Sequence, residues 1–125
     1  MAGTVTVSEE YFGGLLKVDW DWLSTAGGAA DLVTANAYTG IVTRAVFIPD
    51  SAGTQPTDLY DVTVTDEDGA DVLLGLGANL SNAATVQKHQ GDGLGCVAND
   101  KLTVNVTNAG NAKGGRVILY IADLR

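Results

Sequence analysis

One histidine and one cysteine, His89 and Cys96, stand seven residues apart across the glycine-rich stretch QGDGLG. An imidazole can take the proton of a thiol, so the two could form a nucleophile and base, provided they come within hydrogen-bond reach beside an oxyanion site. No such site is announced. A Ser-His-Asp triad can be drawn on paper in any chain with one histidine, and the GxSxG elbow that would support it is missing. The expectation is an exposed loop histidine, a buried cysteine acting as a small apolar filler, and no enzymatic activity. A lone cysteine also excludes an internal disulfide framework and a multi-cysteine zinc site.

Oxygen-rich and aromatic groups offer two further chemistries. Asp66, Asp68 and Asp71 in DEDGAD have the carboxylate density of a calcium loop, but counted from Asp66 the fifth position is Ala70 and the twelfth is Gly77. The acids are explained by a solvated turn, with other loops or a neighbouring chain needed to complete a weak cation site. Trp20 and Trp22 alternate with acids and so share one strand face. That face serves either as a carbohydrate platform or, the preferred reading, as a core or interface anchor. Glycines around Leu76 form neither GxGxxG before a helix nor GxxxxGK, so no nucleotide cradle and no cofactor is expected.

The elements that would position these groups read as strands. Leu59 to Leu74, LYDVTVTDEDGADVLL, is written as a β-hairpin: Tyr60, Val62 and Val64 alternate with polar residues, Gly69 closes an acidic turn, and apolar residues resume at Val72. Leu16, Val18, Trp20 and Trp22 oppose Lys17, Asp19 and Asp21, the cleanest amphipathic strand in the chain. Thr4 to Val7 starts a short first strand before a Gly13-Gly14 break, and Asp31 to Tyr38 is read as a strand. Ile41 to Ile48 is a central strand stopped by Pro49; Ala84 to Gln90 and Lys101 to Thr107 are further strands. Arg116 to Leu124 closes the chain with Val117, Leu119 and Ile121 on one face and Ile118 and Tyr120 on the other. Apolar on both sides, it is either central or covered by another subunit. About eight strands at this spacing predict an all-β single-domain sandwich over residues 1–125, with a jelly roll as the first expectation.

Composition sets the remaining bounds. With 125 residues and 12.9 kDa the chain can bury roughly two-thirds of its unfolded surface as one domain. Fifteen acids against seven bases leave a net charge of −8, which repels a nucleic-acid backbone. An apolar content of 46% beside only 18% charged residues suggests that copies or partners cover part of the surface. The two-sided last strand and the tryptophans make Trp20, Trp22, Arg116, Ile118 and Tyr120 the candidate interface residues. No apolar stretch approaches the ~20 residues of a membrane span, and the amino terminus lacks the pattern of a secretory signal.

Three blocks carry a resemblance: FIPDSAGTQPTDLYDV from Phe47, YDVTVTDEDGADVLLGLGANLSN from Tyr60, and LTVNVTNAGNAKGGRVILYI from Leu102. They resemble small all-β proteins encoded among the structural genes of tailed bacteriophages, over about two-thirds of the chain. The resemblance implies a virion structural role and a homotrimer, with a capsid decoration or cement protein bound to the major coat protein as the first hypothesis. Such a protein assembles in the host cytoplasm and sits on the capsid exterior. A tail, neck or adaptor component is the alternative within the same particle. A carbohydrate-binding module engaging host surface glycan through Trp20 and Trp22 is the alternative of another class.

Overall fold

The computed structural model describes residues 3–123. Its nine strands are β1 (Thr4–Phe12), β2 (Leu15–Leu23), β3 (Ala30–Val33), β4 (Tyr38–Pro49), β5 (Asp61–Thr65), β6 (Val86–His89), β7 (Cys96–Asp100), β8 (Thr103–Thr107) and β9 (Gly114–Asp123). All pairings are antiparallel. One sheet runs β1-β2-β9-β4-β6, with β7 also on β4, and the other runs β3-β8-β5. The all-β sandwich expected from alternation is therefore present, its strands divided six and three.

Alternation decides which side chains enter the space between the sheets. From the large sheet come Leu16, Val18, Trp20 and Trp22 of β2, Val42, Ala45 and Phe47 of β4, and Val117, Leu119 and Ile121 of β9. The small sheet answers with Val62, Val64, Val104 and Val106. Each large aliphatic or aromatic side chain so buried is worth about 1.5–3 kcal/mol relative to exposure. On β4 the register shifts between Val42 and Arg44. This bulge changes the phase of alternation, so Val42 and Ala45 both point inward across an odd interval.

β9 lies between β2 and β4, which settles why it is apolar on both faces. Ile118, on the outer face, stands between Asp19 and Val46 and is only 5% exposed. Its cover comes from its own sheet. Leu124, the predicted end of this strand, lies outside the described residues.

Four local expectations are corrected. The first strand does not stop at Val7; it continues to Phe12 and forms a two-residue hairpin with β2, Gly13 taking φ +63 as the first position of a type II′ turn requires. The return arm after Gly69 is not a strand. One bridge, Thr65 to Asp71, and two backbone hydrogen bonds, Asp66 N–H to Ala70 O and Val72 N–H to Val64 O, are followed by successive turns. Asp71 is the reason: its carboxylate accepts the N–H groups of Val64, Leu73 and Gly75 at 3.0–3.1 Å, offering the backbone a local alternative to a ladder. β5 finds its ladder partner in β8 instead. The strand read over Asp31 to Tyr38 ends at Val33, where the buried Thr34 hydroxyl donates to Asn36 O and accepts from Leu102 N–H. Finally, Cys96 opens β7, a strand not anticipated, and is exposed rather than a core filler, Val97 taking the inward position.

Candidate interaction surface

His89 and Cys96 are not brought together as a catalytic couple. His89 pairs opposite Arg44 and Cys96 opposite Ile41, three residues apart along β4 and so on the order of 10 Å apart at a strand rise of ~3.3 Å per residue. The imidazole acts locally, on its own turn. Its Nδ1 accepts the Gly91 N–H at 3.0 Å, while Asp92 accepts the His89 N–H at 2.9 Å, capping a short 3-10 turn over Gln90–Asp92.

Trp20 and Trp22 are 0% and 2% exposed, so neither can offer a sugar platform or an outer interface. Trp22 packs against Tyr60 with ring centroids 5.6 Å apart. The Trp20 and Trp22 indole N–H groups and the Tyr60 hydroxyl find no protein hydrogen-bond partner among the described residues. Burial, and then the charge of Asp50, push the Tyr60 phenol up to about 12. Burial and the neighbouring Glu9 carboxylate push Tyr38 up as well. The other predicted interface residues are used within the molecule. Arg116 forms an ion pair with Asp19, Ile118 is enclosed, and the Tyr120 ring carries the Arg44 guanidinium 5.0 Å from its centroid. Arg116 and Tyr120 stay half-exposed.

Acidic groups converge at one end of the sandwich, with a membership different from that read in the sequence. Carboxylate oxygens of Asp66, Asp68 and Asp100 lie within 4.8 Å of one another. Asp71 is turned away into the backbone, and Asp100 arrives from β7, 34 residues beyond Asp66 in the sequence. Desolvation, then the charges of Asp66, Asp68 and Glu67, raise the Asp100 carboxyl above its usual range. Three such groups could supply part of the roughly six to eight oxygens of a calcium ion. Their visible work is turn building: Asp66 Oδ1 accepts the N–H groups of Asp68 and Ala70, each at 3.0 Å.

A shallow groove of about 380 Å³ crosses the outer face of the large sheet, lined by Thr6, Ser8, Asp19, Asp21 and Arg116. Strand register explains the lining, since Thr6 stands opposite Asp21, Ser8 opposite Asp19, and Asp21 opposite Arg116. Beyond it, the β1–β2 hairpin ends in an aromatic tip, with Tyr11 and Phe12 50% and 58% exposed. Neither feature was singled out in the sequence. The signal was there in YFGG, two aromatics running into a tight glycine turn.

No helix among the described residues is long and apolar enough to cross a membrane. Comparison with known proteins finds no matching family profile, no matching curated relative and no matching solved structure.

Proposed function

We propose that this chain is a structural protein of a tailed-bacteriophage particle, a decoration or cement subunit that binds the major coat protein on the capsid exterior as a homotrimer. The observation that carries the reading is the tip of the β1–β2 hairpin, where Tyr11 and Phe12 are about half-exposed at the edge of the large sheet. Large exposed aromatics held on a sheet edge suit contact with another protein, because they bring much apolar area at little cost in conformational entropy. The resemblance of the three sequence blocks to phage structural proteins supports the same role. A subunit that binds only the assembled lattice stabilises it by mass action.

Antibody-labelled electron microscopy of purified particles tests this. Label distributed over the head is the expected result, and particles stripped of the protein should rupture at lower temperature and recover on its addition. Label confined to the tail or neck would transfer the chain to the adaptor alternative. Absence from purified particles would overturn a virion role. The glycan-binding alternative has lost its two tryptophans to the core.

A further inference from the structure

β1 has one hydrogen-bonded neighbour, β2. It lies against β3 of the small sheet, yet no backbone hydrogen bond joins them among the described residues, so its second edge presents unpaired N–H and C=O groups. Proteins guard such edges with charges, prolines or inward-pointing carboxylates. Here the guards occupy one half only. Glu9 is held by the Asn36 amide at 3.0 and 3.1 Å, and Glu10 faces Lys17 across the hairpin. Thr4, Val5, Thr6, Val7 and Ser8 carry no charge and no proline, and four of the five are β-branched, the residue type best suited to a strand.

The unguarded half is the half beside the groove. Thr4, Thr6 and Ser8 are exposed on the outer face, while Val5 and Val7 are half-buried on the inner one. Arg116 is committed to Asp19, and Asp21 has no ion pair among the described residues, so two carboxylates face one guanidinium. We propose that the Thr4–Ser8 edge takes an extended segment of another protein in which basic residues alternate with apolar ones. The added strand pairs its backbone with β1. Its apolar residues continue the Val5 and Val7 face, and its basic residues lie over Thr6 and Ser8. From there a lysine reaches Asp21, two strand spacings or about 10 Å away between backbones, within the combined length of the two side chains. A second copy of β1 fits less well: it brings Glu9 and Glu10 and no cation, on a chain of net charge −8.

This goes beyond the virion proposal, because it concerns the isolated chain. The probes are three octapeptides: alternating Val and Lys, alternating Val and Glu, and a scramble of the first with its lysines grouped. Binding is read by calorimetry and by amide shifts. The alternating lysine peptide should bind at least tenfold more tightly than the other two, with shifts concentrated at Thr4–Ser8. Asp21→Asn should weaken it about threefold to fivefold, the scale of one solvent-exposed ion pair. Thr6→Lys, which places a like charge at the edge, should abolish it at unchanged melting temperature. Equal binding of the scramble, or shifts away from β1, would overturn the proposal. So would a dimer dispersed by Thr6→Lys, which would assign the edge to a second copy.

Discussion

Trp20 is 0% exposed within the core cluster, so its removal leaves a cavity between the sheets. Trp20→Ala should destabilise the fold by about 3–5 kcal/mol, measured by denaturant unfolding. An unchanged midpoint would show that the residue is not buried. Tyr60 gives a pH signature. Its phenol is raised from 10.0 to about 12, so the folded state holds the proton more tightly than the unfolded one. The resulting stability is complete below pH 10 and is lost as pH rises through 12. Melting temperature should therefore fall over that alkaline window, and Tyr60→Phe should flatten the fall. Asp100 shows the same sign in the acid range. Its raised carboxyl is favoured in the protonated form, so at neutral pH the ionised group works against folding. Asp100→Asn should melt higher than the parent at pH 7, and the gap should close below 3.8, where the carboxyl is protonated in both states.

At the scale of elements, the segment after Gly69 depends on one carboxylate. Asp71→Ala leaves the amides of Val64, Leu73 and Gly75 without their acceptor, at about 1–3 kcal/mol for each buried donor stranded. Hydrogen exchange should quicken at Leu73 and Gly75 before it quickens in β8. Equal exchange in parent and variant would show that the turns hold without Asp71. The same residue explains why a hairpin was legible there only in part. Alternation over Tyr60 to Val64 and the acidic turn ending at Gly69 are local signals, and both are realised. Which strand β5 pairs with is not local: Val62 meets Val106, 44 residues on. β7 was hidden for a related reason, since Val97 is its single buried position and one inward residue sets no period.

For the whole molecule, the burial of Ile118 on the outer face of β9 weakens one argument for self-association and leaves the exposed hairpin tip as another. The proposed homotrimer is checked by light scattering at micromolar concentration, where a mass three times 12.9 kDa is expected and a lone 12.9 kDa species would exclude it. Sequence by itself determined the features set by short-range periodicity and backbone sterics: an all-β chain, the buried faces of β2, β8 and β9, and the turns at Gly13 and Gly69. Those features need only neighbours within a few residues. Tertiary structure alone decided the rest. It gathered Asp100 with Asp66 and Asp68, set Asp21 beside Thr6, and left the second edge of β1 without a strand partner among the described residues. Each depends on which strands become neighbours, and that is settled by how two sheets jointly bury their apolar faces, an outcome no single segment encodes.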